Sequence, residues 1–151
     1  MRKATLLAVI SLLLLSCQQG VVFTEFKALP KSGWMADSMM VFTPVLEDSM
    51  ALYDMQLLVR HTDRYGYQNL WLFVDMKQDS VLVRRDTIEA MIANERGEWL
   101  GHGVSKYTLP LLYLEHIKLH SSEYEVIVQQ GMREEMLLGI TDFGLKVIKN
   151  E

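Results

Sequence analysis

The residues of this chain that could do chemistry are concentrated in Gly97-Glu98-Trp99-Leu100-Gly101-His102-Gly103, followed closely by Ser105. A histidine beside a serine suggests a nucleophile and its base, but acyl transfer also needs a group that orients the base. The neighbouring sequence marks none, and neither HExxH nor GxSxG occurs. His116 and His120 are four apart, a spacing that would share a metal on one helix face. The segment Leu114-Glu115-His116-Ile117-Lys118-Leu119-His120 alternates like a strand instead. There four residues span roughly 13 Å, too far for one ion. Glu134-Glu135 lies in a polar turn, and no glycosidase pair can be assigned from it. The sequence therefore predicts no catalytic residue, no metal site and no cofactor. Trp34 and Trp99 adjoin glycines in predicted loops, where an indole serves either as a ligand platform or as a cap on the open end of a fold. With Gly101 and His102 they form the candidate contact loop. Trp71 sits in Asn69-Leu70-Trp71-Leu72-Phe73, apolar on both faces, and is expected in the core.

One more reactive group remains, and its setting is different. Met1-Arg2-Lys3-Ala4-Thr5 precedes an apolar run from Leu6 to Leu15, which ends Leu14-Leu15-Ser16-Cys17. The run is too short to span a bilayer, which takes roughly 20 residues, and it fits the apolar region of a secretory signal peptide. A small residue and a lone cysteine directly after such a region form a lipobox. The thiol takes a diacylglycerol, cleavage frees the amine, and the amine is acylated in turn. Cys17, the only cysteine, is expected to be this lipid attachment site, because a spare thiol in an exported chain would be a reactive liability.

The expected organisation is a signal peptide over 1–16, a lipidated N-terminus and short linker over 17–20, and one β-sandwich domain over 21–151. Removing 16 of the 151 residues leaves 135, and losing Arg2 and Lys3 takes the net charge from −4 to −6. That sign argues against nucleic acid as a partner. No cysteine remains for a disulfide, so the core must hold the fold alone, which a chain of this size can do. Gln18-Gln19 carry neither an inner-membrane retention aspartate nor an acidic export tag. By elimination the lipid is expected in the outer membrane, with the domain facing the periplasm and close to the bilayer.

The elements that must position these residues are strands. Tyr53, Met55, Leu57 and Val59 alternate with Asp54, Gln56 and Arg60; Tyr124, Val126 and Val128 alternate with Glu123, Glu125 and Gln129. Phe143, Leu145 and Val147 face away from Lys146. Further candidates are 21–27, 39–46, 69–76, 81–92 and 111–120, giving about eight strands separated by turn-rich segments. Such a chain is expected to be all-β, an antiparallel β-sandwich of jelly-roll type. One helical turn is expected over 132–138, where the alternation fails.

Several strings together resemble the gliding-motility lipoprotein GldH family. They are Leu15-Ser16-Cys17, Pro30-x-x-Gly33-Trp34, Asn69-Leu70-Trp71-Leu72-Phe73, Arg85-Asp86-Thr87, Gly97 to Gly103, and Met132-Arg133 with Gly139-Ile140-Thr141-Asp142-Phe143-Gly144-Leu145. His102 stands where a lysine is more usual, and Phe143 where valine is commoner. The resemblance implies an outer-membrane lipoprotein without catalytic activity, associated with surface gliding and type IX secretion. Its partners would be other envelope lipoproteins or components of the secretion and motility machinery. The alternative is a carbohydrate- or peptidoglycan-binding β-sandwich lipoprotein. Trp34 and Trp99 exposed side by side would favour the sugar; a broad apolar patch near the loops would favour a protein.

Overall fold

The computed structural model describes residues 20–150; Cys17 and the expected signal peptide lie outside the described residues. Twelve strands follow one another: β1 (Val21–Ala28), β2 (Trp34–Met35), β3 (Met39–Phe42), β4 (Val45–Leu46), β5 (Leu52–His61), β6 (Asn69–Gln78), β7 (Val81–Met91), β8 (His102–Gly103), β9 (Tyr107–Lys118), β10 (Ser122–Gln130), β11 (Met136–Leu137) and β12 (Ile140–Asn150). Four of them, β2, β4, β8 and β11, are only two residues long. The other eight correspond to the alternating segments of the sequence. The expected strand over 39–46 is split into β3 and β4 because Pro44 has no N–H to give to a ladder; its carbonyl accepts from Tyr124 N at 2.9 Å instead.

The sheets run β1-β12-β5-β9-β8 and β3-β10-β6-β7, with every pairing antiparallel. Counting only the eight longer strands in chain order, one sheet is 1-8-3-6 and the other 2-7-4-5. First pairs with last, second with seventh, third with sixth, fourth with fifth. This is a long hairpin rolled into two layers, the jelly-roll order.

Period-two burial builds the core between the layers. Tyr53, Met55, Leu57 and Val59 of β5 meet Leu70, Leu72, Val74 and Met76 of β6, with Tyr124, Val126, Val128, Phe143, Leu145 and Val147 from β10 and β12. Two expectations are corrected here. Trp71 is 38% exposed rather than buried, because Leu70 and Leu72 take the inner face of β6 and Trp71 shares the outer face with Phe73 and Asp75. No helical turn forms over 132–138. The Gln130 side chain accepts from Met132 N at 2.8 Å and donates to the Glu134 carbonyl at 2.9 Å, and β11 pairs with β2. A side chain thus satisfies the backbone groups that a helical turn would have used.

Candidate functional site

The loop over 94–106 is built from its asparagine outward. Asn94 Oδ1 accepts from Arg96 N at 2.9 Å and from Glu98 N at 3.0 Å, while its Nδ2 donates to Glu98 Oε2 at 2.7 Å. Such side-chain bonds to nearby backbone favour a turn over continued strand. Ala93 then bridges Trp99, and Leu100 N donates to the Ile92 carbonyl at 2.9 Å. β8 returns against β9, with His102 opposite Thr108 and Gly103 opposite Tyr107. The approach is close. A Cβ on Gly101 would sit 3.0 Å from the Thr108 carbonyl, and one on Gly103, whose φ is +152°, only 1.9 Å from the Lys106 oxygen. Lys106 Nζ, 2.7 Å from Asp142 Oδ2, ties this hairpin to β12.

Trp99 is the keystone of the loop. Its Nε1 donates to Asp63 Oδ1 at 2.9 Å, and its ring lies 4.8 Å from the His61 ring in an edge-on arrangement and 6.1 Å from Tyr107. His61 is fully buried, stacked on Tyr107 at 5.3 Å. Its Nδ1 has one long contact of 3.4 Å to the Thr62 carbonyl, and its Nε2 has no partner among the described residues. Burial pushes the imidazole pKa below the ordinary value, outweighing the Thr62 carbonyl and the Asp63 charge, which pull it up. His61 is therefore held neutral among aromatic rings. His102 is exposed. The cluster packs around the loop, and the Trp99–Asp63 hydrogen bond fastens it.

Trp34 does not join this loop. It is fully buried, 5.5 Å from Phe143, with Nε1 donating to the Ser38 carbonyl at 2.9 Å. Of the two roles open to Trp34 it takes the packing one, because pairing of β2 with β11 draws the indole inward, and the side-by-side exposure with Trp99 that would have favoured a sugar does not occur. The exposed aromatics lie elsewhere, on the outer face of the β3-β10-β6-β7 sheet. Trp71 and Phe73 are side by side there, 38% and 47% exposed, with Met39 at 61%. Gly131 leaves room for them, since a Cβ there would fall 3.1 Å from the Phe73 ring. Two grooves flank the pair, each of about 660 Å³. One is bordered by Tyr67, Asn69, Met132, Arg133 and Glu134, the other by Asp75, Arg85, Ile127 and Gln129.

A model of the GldH lipoprotein family matches residues 21–147. The chain belongs to the GldH lipoprotein family. Gliding motility lipoprotein GldH of Flavobacterium johnsoniae is 30% identical over 153 aligned positions, which cover 97% of this chain and 96% of that protein. The gliding motility lipoprotein GldH homolog of Christiangramia forsetii is 32% identical, covering 90% and 88%. Among solved structures, CBM35 from Cellvibrio japonicus Abf62 overlaps 90% of this chain and 94% of its own, at 11% identity and a TM-score of 0.39. That likeness is too loose to carry function or fold.

In this GldH lipoprotein the residues that motif reading missed are His61 and Asp63, which hold Trp99. Extending the buried series Tyr53, Met55, Leu57, Val59 by one more step would have placed His61 inside. Asp63 left no such signal, because it meets Trp99 across 36 residues of chain.

Proposed function

We propose that this chain is a non-enzymatic envelope lipoprotein, exported by residues 1–16 and acylated at Cys17. Residues 17–20 form the link, and 21–151 form one domain on the periplasmic side of the outer membrane. It acts by contact with components of the gliding and type IX secretion machinery. Kinship with proteins named for gliding motility supports the role. The observation that carries contact as its means is the exposed Trp71–Phe73–Met39 face. Apolar rings that a folded chain leaves in water without an internal reason mark interaction surfaces, and aromatic residues are enriched at interface centres. The 97–103 loop, with exposed Leu100 and His102, is the candidate second contact.

A carbohydrate is the second reading. The groove of Tyr67, Asn69, Trp71, Arg133 and Glu134 combines an exposed indole with amide, guanidinium and carboxylate groups, the mixture that binding pockets for polar ligands use. The test is complementation of a deletion strain with Trp71→Ala and Phe73→Ser, scored for secretion or motility alongside protein level. Loss of function at normal abundance is expected, and a photocrosslinker at position 73 should join a machinery protein. Full function in both variants would remove the contact role of this face. Binding of soluble glycan fragments that Trp71→Ala abolishes would put the sugar in the protein's place.

A further inference from the structure

The topology gathers one set of chain ends at a single end of the sandwich: the start of β1, the end of β12, the start of β5, the end of β9 and the β6–β7 turn. Lys149 N donates to the Gly20 carbonyl at 2.6 Å, Asn150 is opposite Leu52, and Leu52 is opposite Lys118. On the other layer Ser122 is opposite Leu46, and Gln78 is opposite Val81. The turns here are fastened. Asp48 accepts from Met50 N at 2.9 Å, its carbonyl accepts from Tyr53 Oη at 2.7 Å, and its carboxylate meets Lys149 Nζ at 2.7 Å. Ser122 Oγ donates to Asp79 Oδ1 at 2.8 Å and holds the β6–β7 turn.

What these fastened turns present is apolar. Met50 is 80% exposed, Val81 65% and Val45 57%, and Val22, Leu52 and Leu82 are also exposed. A turn locked by its own aspartate while displaying a bare methionine has no reason for that residue within the fold. The ordered charges around it carry both signs, Asp48 with Lys149 and Asp79 on one groove with Lys77, so the end offers no single field for a charged partner.

We infer that this end of the sandwich lies against the bilayer, with the Val45, Met50 and Val81 turns inserted at headgroup depth. The inference rests on Cys17 being the lipid anchor. From Cys17 to Gly20 is three residues, a reach of at most about 10 Å. The opposite end also exposes Leu100 and Val104, but the ten-residue β5 separates the two ends by about 30 Å. Only the Gly20 end falls within the tether's reach. Shallow burial of apolar side chains beside the multiply acylated anchor adds to attachment and fixes how the domain stands on the membrane.

The test uses the lipidated protein in vesicles of phosphatidylethanolamine with phosphatidylglycerol. Cys17 is the only native cysteine, so once it is acylated Met50→Cys, Val81→Cys and Leu100→Cys each accept one spin label. Severalfold greater collision with oxygen than with a water-soluble nickel complex is expected at 50 and 81, and the reverse at 100. Equal aqueous exposure at all three positions, in protein that floats with the vesicles, would overturn the inference while leaving the anchor intact. Shielding of 50 and 81 from both reagents would overturn it in favour of a protein occupant. Protein that neither floats nor carries acyl mass would overturn the anchor itself and this placement with it.

Discussion

At the scale of single residues, the 97–103 loop is held by groups that would look catalytic in another setting. A neutral imidazole, a carboxylate and a tryptophan meet within a few ångströms, yet Asp63 bonds the indole rather than the imidazole, and His61 Nε2 has no hydrogen-bond partner among the described residues. Burial lowers the His61 pKa in the folded chain relative to the ordinary imidazole value of about 6.5. The unfolded chain then binds more protons between the two values, so this contribution to stability is present above about pH 6.5 and is lost as pH falls below it. Thermal midpoints measured from about pH 7.5 to about pH 5.5 should fall more steeply for the native chain than for His61→Phe. Parallel slopes would refute a buried neutral histidine. The loop glycines make a complementary prediction. Gly101→Val must push against the Thr108 carbonyl, with strain of roughly 1–3 kcal/mol, and should lower protein level. His102→Lys, on an exposed side chain, should retain function in complementation. Loss of function in His102→Lys at normal abundance would revive an active-site role for the loop.

At the scale of elements, β6 decides which tryptophan is structural. Its inner residues pair with the core, and its outer row runs Trp71, Phe73, Asp75, Lys77. Trp34→Ala should therefore cost about 3–5 kcal/mol, a fall in midpoint on the order of 10 °C for a domain of this size. Trp71→Ala should move the midpoint by far less, and an equal fall in both variants would show that Trp71 belongs to the core. The polar members of that row were legible: Asp75 and Lys77 share Trp71's parity, and extending the period through them places the indole outside. The apolar look of Asn69–Phe73 taken alone hides this. Alternation likewise revealed β5, β10 and β12, whose inner rows are continuous in sequence, and the turn-rich segments marked off the other long strands and with them the jelly-roll class. The two-residue strands β2, β8 and β11 were not legible, since pairing over two residues depends on partners outside the segment, whereas β4 was read as the end of one strand with β3. β7 shows the same limit. It is an edge strand whose inward row carries Arg84 and Asp86, where Asp86 accepts from Arg84 Nε at 2.5 Å and from Tyr113 Oη of the other layer at 2.7 Å. Burial alone would raise the Asp86 pKa; the hydrogen bonds from Tyr113 and Arg84 hold it below the usual carboxylate value. Inward charge on a long edge strand discourages pairing with another chain, and the tyrosine that completes it sits 27 residues away.

At the scale of the whole molecule, the proposed membrane contact and the proposed partner contact lie at opposite ends of the jelly roll. The first strand begins just past the expected anchor, while Trp99, Leu100 and the Trp71 groove stand toward the opposite end, where β5 finishes and β6 begins. With Cys17 as the proposed anchor, a tether of about 10 Å and strands of about 30 Å would hold that end at a fixed height above the membrane. If the partner meets the protein at that height, the short link is as much a part of the function as the contact residues. Inserting ten glycine and serine residues between Gln19 and Gly20 adds a root-mean-square reach of about 17 Å and touches no strand. Acylation and the thermal midpoint should stay unchanged, because neither depends on the insert. Secretion or motility in a complemented deletion strain should fall, since the flexible link dilutes the contact surface over a larger volume and frees its orientation. An inserted flexible link that supports full function at normal abundance would show that the contact is made without a fixed stand-off. The role of the Gly20 end against the bilayer would then be attachment alone.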